Sequence, residues 1–319
     1  MPLNTPKLLQ NEIPEIGKNL HEAWHSTCRG QPGDRNQKEN RVARLIVDVV
    51  GGFKEDVAPI YEKIGIQAEA SGVFIHGQPM VEQCDVSKGV KLGDLLVIVD
   101  YEDHTNNQMR MAMMLQSKTK DRFKFEPSKK KQDYLYSQWP TFTYKSGMPT
   151  TAEYTTPRVL NGPHLNLATQ FLIIPNKAAP HPRCREPKTN MGRSFATTLQ
   201  GLMSLDTGKE FSLPAGADDF GWNRVIQDLL LETANTTRKA MEQQQSDSKR
   251  GVNCFVSGKL TDTARPVCSV TQRYLETVNE GLGILPPPEN LRFEGEAPGG
   301  GISTLYFRLK QNDPNRIGG

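Results

Sequence analysis

Asp94-Leu-Leu-Val-Ile-Val-Asp100 is a continuous apolar run with an acidic residue at each end. A run of this length and composition is typical of a β-strand that is buried on both faces. The polar cluster Asp103-His-Thr-Asn-Asn107 predicts a turn, and residues 109–118 then predict an antiparallel partner strand. These residues therefore predict a strand pair in the core of the protein.

Apolar patterns on either side of this strand pair predict further helices and strands. Helical spacing occurs over residues 8–27, 37–50 and 222–230, and strand character over residues 134–144, 169–175 and 302–309. The order of these elements predicts an α/β protein with a central mixed sheet flanked by helices and an elaborated C-terminal half. The predicted division is a core over residues 1–176 and an accessory region over residues 177–319 that packs on the core.

The composition is typical of a globular protein, because 36% of the 319 residues are hydrophobic and 24% are charged. No apolar run reaches the roughly 20 residues that span a bilayer, and no basic-then-apolar segment predicts a signal peptide. The five cysteines include no Cys-x-x-Cys pair, which predicts free thiols and a cytoplasmic location. A net charge of +3 is too small to indicate nucleic-acid binding by itself, so that function must depend on local clusters.

Three polar residues mark the ends of the predicted strand pair, since Asp94 opens the first strand and Gln116 and Lys118 close the second. Gln116 and Lys118 are two residues apart, so a strand places both side chains on one face. Mg²⁺ prefers oxygen ligands, which Asp94 and the amide oxygen of Gln116 can supply. Lys118 is a compact cation that can orient a water molecule or stabilise charge on a phosphate. The pattern predicts metal-dependent hydrolysis of a phosphodiester.

The pattern Asp94…Gln116-Ser117-Lys118 resembles the active-site motif of the PD-(D/E)XK nuclease superfamily. It is most similar to the Mrr-like restriction endonuclease branch, in which glutamine stands in for the first acidic residue of the E-x-K. The separation, 116 − 94 = 22 residues, fits the hairpin that carries the motif in that fold. No proline precedes Asp94, and that branch often lacks one too. The resemblance covers roughly residues 8–145.

The resemblance implies a restriction-endonuclease-like fold, with residues 1–176 as the nuclease-like core. It implies an endonuclease that acts on DNA in prokaryotic restriction or antiviral defence, with Mg²⁺ (or Mn²⁺) as cofactor and a homodimer as a candidate assembly. Asp94 and Gln116 would bind the metal, and Lys118 would help to activate water. An acidic residue of the preceding helix would complete the site; Glu12, Glu15 and Glu22 are the candidates, and Glu22 is assigned as the catalytic residue, with Glu15 as its alternative.

A basic segment follows the second strand. It consists of Lys118, Lys120, Arg122, Lys124, Lys129, Lys130 and Lys131, opposed only by Asp121 and Glu126. Beside a metal centre, this segment predicts salt-sensitive binding of DNA phosphates that is largely independent of sequence. The Pro-rich loop predicted over residues 176–193 is also basic and predicts a second contact surface. Charge runs of this kind are also common as solvated hairpins.

A rival motif, His21-Glu22-Ala23-Trp24-His25, lies on the first predicted helix. Its histidines are one turn apart, so both can reach one Zn²⁺, with Glu22 as general base of a zinc metallopeptidase. The motif begins only 20 residues into the sequence, and a third ligand is not evident apart from Cys28 at i+3 from His25. The sequence therefore favours the endonuclease.

Two further alternatives involve no catalysis. One is a nucleic-acid-binding protein that uses only the basic segment. The other is purely structural, because an aspartate at a strand start is often a turn residue and a lysine at a strand end often leaves the core. A Gln-x-Lys triplet occurs about once by chance in a chain of this length. Asp94, Gln116 and Lys118 on different faces would exclude the endonuclease.

Overall fold

The computed structural model describes residues 14–28, 40–75, 79–83, 86–118, 132–160, 164–174, 181–187, 192–242 and 301–312. The helices are α1 (Pro14–Thr27), α2 (Asn40–Gly52), α3 (Ala58–Lys63), α4 (Gln132–Gln138), α5 (Ala152–Thr155), α6 (Leu165–Ala168), α7 (Phe195–Met203) and α8 (Trp222–Glu242), and a π-helical turn (Phe53–Val57) joins α2 to α3. The strands are β1 (Ile66–Val73), β2 (Met80–Gln83), β3 (Val86–Lys91), β4 (Leu95–Glu102), β5 (Gln108–Lys118), β6 (Phe142–Ser146), β7 (Thr169–Ile173), β8 (Arg183–Arg185), β9 (Gly192–Ser194), β10 (Lys209–Glu210) and β11 (Ser303–Gln311).

Eight of the described strands form a main sheet in the order β1-β11-β4-β5-β7-β8-β9, with β10 paired to β5. β11 runs parallel to β4 and β5 runs parallel to β7, whereas the other neighbours are antiparallel. β2, β3 and β6 form a separate three-stranded sheet. The protein is therefore a mixed α/β structure with a central mixed sheet flanked by helices, as predicted.

The predicted strand pair is confirmed as β4 and β5, in which Leu95 lies opposite Leu115. The turn between them is held by Asp103, whose Oδ1 accepts hydrogen bonds from the backbone N–H groups of Thr105 and Asn107 at 2.8 and 2.9 Å. Every residue of β4 before the last one is buried, because helices or a second sheet cover both faces of the main sheet. The continuous apolar run is thus explained by burial on two sides.

The two faces of the main sheet contact different elements. Leu95 and Leu115 are buried among residues of α1, α2, α3 and α7, and we call this side the α1 face. Leu96 and Met114 are buried among residues of α4, α8 and the three-stranded sheet, and we call this side the α8 face. Each fully buried leucine of this kind contributes about 1.5–3 kcal/mol to folding. The side chains of alternate residues in β4 and β5 therefore lie on opposite faces of the main sheet.

Residues 134–144 differ from the predicted strand, since their first half belongs to the helix α4 and only Phe142–Ser146 form β6. Leu135 and Trp139 are one helical turn apart and both are buried on the α8 face. Their aromatic and apolar character therefore reflects one side of a helix rather than a pleated strand. The helix ends before Trp139, which has a positive φ of 45°, and Pro140 follows.

Among the described residues, segments on both sides of residue 176 supply strands to the same sheet. The predicted loop over residues 176–193 contains β8 and β9, which extend the main sheet beyond β7. β11 lies between β1 and β4, with Ser303 opposite Leu95. Leu305 and Phe307 are fully buried on the α1 face. One core therefore includes residues from both halves.

Two predictions from composition can be compared with the described residues. Cys28 and Cys184 are both free and buried, in agreement with the prediction of free thiols. None of the helices in the described ranges combines the length and the apolar character that crossing a membrane requires.

Candidate active site

Asp94, Gln116 and Lys118 lie together at one edge of the main sheet. Because β4 and β5 are antiparallel, the start of β4 meets the end of β5, and the backbone N–H of Asp94 donates to the carbonyl oxygen of Leu115 at 2.8 Å. Gln116 and Lys118 alternate with Leu115, which places their side chains on the α8 face. The three side chains therefore lie on the same face at the same edge of the sheet.

Asp94 and Gln116 are in direct contact. The Gln116 amide nitrogen donates to Asp94 Oδ2, and the backbone N–H of Ser117 donates to the same oxygen at 2.7 Å. Both side chains are buried, with 6% of Asp94 and 4% of Gln116 exposed. A buried carboxylate is costly unless donors compensate it, and here the end of the neighbouring strand supplies two of them.

Gln132, at the start of α4, joins the cluster and was not predicted from the sequence. Its Oε1 accepts a hydrogen bond from Lys118 Nζ at 2.8 Å, and its amide nitrogen donates to Gln116 Oε1 and to the carbonyl oxygen of Lys91, the latter at 2.9 Å. Gln132 therefore connects the lysine to the amide and, through it, to Asp94. We call Asp94, Gln116, Lys118 and Gln132 the edge cluster.

Tyr136 fixes α4 against the edge cluster. It lies one helical turn after Gln132, and its hydroxyl donates to the carbonyl oxygen of Leu92 at 2.8 Å, just before Asp94 in the chain. Burial, and then the charge of Asp94, raise the pKa of Tyr136 well above its usual range, so the hydroxyl stays a donor. The spacing of Gln132 and Tyr136 was the available signal in the sequence, but it has meaning only once this segment is known to be helical.

Aromatic rings form the floor beneath Lys118. Its Nζ lies 5.4 Å from the centroid of the Phe171 ring, and Phe171 stacks on Tyr136 with centroids 5.4 Å apart. The lysine is half-buried, whereas Phe171 and Tyr136 are fully buried. A cation over an aromatic face is attracted by the ring quadrupole, which helps to define the position of the ammonium group.

The oxygen donors of the edge cluster fit a magnesium ion that keeps most of its water ligands. Mg²⁺ is commonly bound through one or two protein oxygens together with substrate phosphates. Asp94 offers a carboxylate, and Gln116 offers an amide oxygen, since an amide can turn its oxygen or its nitrogen towards a neighbour. Within the described ranges, however, no three His, Cys, Asp or Glu side chains are grouped as a metal site.

The structure does not bring Glu22 to the edge cluster. Glu22 is exposed and pairs with Lys18 at 3.9 Å, one turn away on α1. The neighbouring Trp24 is buried on the α1 face, so this helix covers the side of the sheet opposite the edge cluster. Glu12 lies outside the described residues, and so does the side chain of Glu15.

The histidines of the rival motif form a small group on the surface of α1. The rings of His21 and His25 are 4.3 Å apart, and His181, just before β8, lies 5.9 Å from His25. His25 Nε2 lies 3.4 Å from the hydroxyl of Ser194, and His21 Nδ1 lies 3.3 Å from Gln200 Oε1. These contacts join α1 to Ser194 and to the helix α7, and among the described residues the three rings are not grouped as a zinc site.

A polar cleft of about 280 Å³ lies on the α1 face, between α7 and the end of the sheet formed by β7, β8 and β9. Gln170, Arg193, Thr198 and Asp206 are among its lining residues. The cleft and the edge cluster are therefore on opposite faces of the same sheet.

The predicted phosphate-binding residues of the basic segment lie outside the described residues. They are Lys120, Arg122, Lys124, Lys129, Lys130 and Lys131. In comparisons with known proteins, no protein-family model, no curated protein and no solved structure matches the chain. What the chain can do chemically therefore has to be inferred from the arrangement of its own side chains.

Proposed function

We propose that the protein is a metal-dependent endonuclease that hydrolyses phosphodiester bonds in DNA, with a core of the restriction-endonuclease type. One observation supports this proposal above all: Asp94 of one strand and Gln116 and Lys118 of the next lie on one face at one edge of the sheet. A buried carboxylate beside a lysine at a sheet edge is expensive to build for structure alone. An activity of this kind suits prokaryotic restriction or defence against phages.

Asp94 and Gln116 are the residues that would hold the metal. A bound Mg²⁺ or Mn²⁺ would offset the charge of the scissile phosphate and lower the pKa of the attacking water. Lys118 would place its ammonium group beside the same phosphate, where it stabilises the added negative charge. Gln132 accepts a hydrogen bond from Lys118 and donates one to Gln116, so it keeps the two groups in a fixed relation.

The decisive experiment replaces Lys118. We expect Lys118→Met to lower the rate of plasmid cleavage with Mg²⁺ on the order of a thousandfold, because removing one well-placed group that stabilises transition-state charge costs about a hundredfold to a thousandfold. DNA binding should change little, since one phosphate contact is lost. Lys54→Met is a matched control, because Lys54 is an exposed lysine in the turn after α2, among elements of the α1 face.

Cleavage by Lys118→Met at the rate of the unaltered protein would contradict the proposal. Binding of DNA by the unaltered protein without products at any concentration of Mg²⁺ or Mn²⁺ would instead favour the non-catalytic nucleic-acid-binding protein.

A further inference from the structure

Two arginines of β8 are in register with the edge cluster. Lys118 of β5 lies opposite Ile173 of β7, which lies opposite Arg183. Two residues earlier along β5, Gln116 lies opposite Phe171, which lies opposite Arg185. The sheet therefore contains two parallel rows that lead from the edge cluster across β7 to an arginine.

Both arginines belong to the α8 face. Residues directly opposite one another on neighbouring strands have side chains on the same face of a sheet. Phe171, opposite Arg185, is buried on the α8 face, whereas Cys184, between the two arginines, is buried on the α1 face. Arg183 and Arg185 thus share a face with Gln116 and Lys118. Two strand spacings separate β5 from β8, a distance of roughly 10 Å.

The position of these arginines is unusual for side chains that serve only the fold. Arg183 is exposed and Arg185 is half-buried. Among the residues that the structure describes, Arg183 forms no ion pair. A short strand next to the end of the sheet needs no charged side chain on both of its outward positions, although charges there do discourage pairing with other chains. Guanidinium groups match the oxygens of a phosphate and bind them bidentately.

We propose that Arg183 and Arg185 bind the phosphate backbone of the DNA next to the scissile bond, so that the strand runs along the edge of the sheet, from the end of β5 past the end of β7 to the start of β8. This inference rests on the proposed function and adds the path of the substrate to it. The rows Lys118–Ile173–Arg183 and Gln116–Phe171–Arg185 give the direction of that path, perpendicular to the strands. Phe171 and Ile173 of β7 are buried, and Tyr136 of α4 stacks on Phe171, so the DNA backbone passes along the edge of the sheet rather than over β7.

The chain offers a matched control in Arg193. It lies on β9, directly opposite Cys184, and therefore points to the α1 face, where it lines the polar cleft. Arg193 is exposed and belongs to the same end of the sheet as Arg183. Replacing it removes the same charge from the neighbouring strand without touching the α8 face.

The experiment measures the affinity of fluorescently labelled DNA by anisotropy, in EDTA, over a series of KCl concentrations. For Arg183→Gln with Arg185→Gln, we expect weaker binding on the order of tenfold or more and a log–log salt slope that is smaller by about 1.4 to 1.8, because each lost phosphate contact removes 0.7 to 0.9 from the slope. In cleavage assays KM should rise while kcat changes little. Arg193→Gln should lower the slope by less than half of this amount.

The outcomes distinguish a failure of the proposed DNA path from a failure of the proposed nuclease activity. An unchanged salt slope and KM in the double variant, in a protein whose Lys118→Met variant is inactive, would overturn the path and leave the nuclease standing. A lower slope in the double variant of a protein that never cleaves DNA would support the path as a binding surface and overturn the nuclease. Loss of DNA binding equal to that of Arg193→Gln would also overturn the path.

Circular dichroism checks that the double variant folds. If it does not, Arg183→Lys with Arg185→Lys keeps both charges, and we expect it to retain most of the salt slope while losing several-fold in affinity. Affinity equal to that of the unaltered protein in this lysine variant would count against bidentate binding by these residues.

Discussion

Two polar groups occupy the α8 face of the sheet, and they differ in how they are enclosed. Arg158 and Asp228 form an ion pair at 2.9 Å with side chains that are 1% and 0% exposed. The other nitrogens of Arg158 donate to the carbonyl oxygens of Thr156 and Glu153, each at 2.8 Å. In the edge cluster, by contrast, the lysine is only half-buried and neutral amides connect it to the carboxylate.

The comparison separates a polar group that holds the fold together from one that is suited to chemistry. The Arg158–Asp228 pair joins the isolated β-bridge between Phe142 and Arg158 to the helix α8 and has no access to solvent. The edge cluster lies where two strands end, so a substrate can approach the lysine. Full burial of both charged groups indicates a structural role, whereas a partly accessible cation near a buried carboxylate is suited to binding or catalysis.

The largest effect should come from breaking the enclosed pair. Arg158→Met leaves the carboxylate of Asp228 buried without its cation, and we expect a loss of about 3–5 kcal/mol in the free energy of unfolding. Urea denaturation measures it. Adding Asp228→Leu should restore part of the loss, because the stranded charge is then absent.

Arg224→Met serves as the control for this experiment. Arg224 also lies on α8 and pairs with Glu153 at 2.9 Å, but Glu153 is 55% exposed. A loss of more than about 1 kcal/mol in the free energy of unfolding of Arg224→Met would contradict the distinction between the two ion pairs, because exposed pairs contribute less than this.

A smaller effect should appear in the pH dependence of stability. Burial raises the pKa of Asp228 to about 6 from an ordinary value of 3.8, and one of its oxygens, Oδ1, has no hydrogen-bond partner within the described ranges. Between these two values the folded protein holds a proton that the unfolded chain releases. The resulting stabilisation is fully present below about pH 4 and is lost as the pH rises through 6; it amounts to at most about 3 kcal/mol.

This dependence is measured as the difference in unfolding free energy between the unaltered protein and Asp228→Asn, at pH 7 and at pH 5. Relative to Asp228→Asn, the unaltered protein should have a larger free energy of unfolding at pH 5 than at pH 7. A difference that moves the other way would mean that Arg158 keeps the carboxylate ionised in the folded state.

Replacing Gln132 should have the smallest effect on stability but a clear effect on cleavage activity. Gln132→Leu removes the acceptor of Lys118 and the donor to Gln116, so we expect cleavage to fall roughly tenfold to a hundredfold in kcat with KM unchanged. The free energy of unfolding should fall by only about 1–2 kcal/mol. Gln138→Leu, at the exposed end of the same helix, is the control. Equal losses of kcat in both variants would show that α4 acts only as a support.

Local patterns in the sequence predicted the parts of the site that depend on neighbouring residues. Asp94, Gln116 and Lys118 terminate apolar strands joined by one turn, so their convergence follows from an antiparallel pair. Gln132 could not be found in this way, because it reaches the cluster from α4, across a basic stretch that carries no apolar period. The aromatic residues of α4 also suggested a strand, and only burial against the α8 face explains them.

The remaining errors concern pairings between distant parts of the chain. The strand character of residues 302–309 was recognised, but nothing local indicates that β11 lies between β1 and β4. The acidic residue Glu22 was assigned from its place in a helix, whereas the side of the sheet that α1 covers depends on Trp24 and its contacts with Phe53 and Phe307. Both the place of β11 in the sheet and the face that α1 covers depend on tertiary packing, which local patterns in a single sequence do not show.

The location of β11 has a consequence for the order of events during synthesis. A ribosome that has delivered everything before residue 303 has produced β1 and β4 without the strand that separates them. Each then exposes a row of unsatisfied amide and carbonyl groups, the kind of surface on which chains associate wrongly. Premature termination before β11 is thus expected to yield an insoluble product rather than a shortened folded protein, because the main sheet is complete only after residues 303–311 have been made.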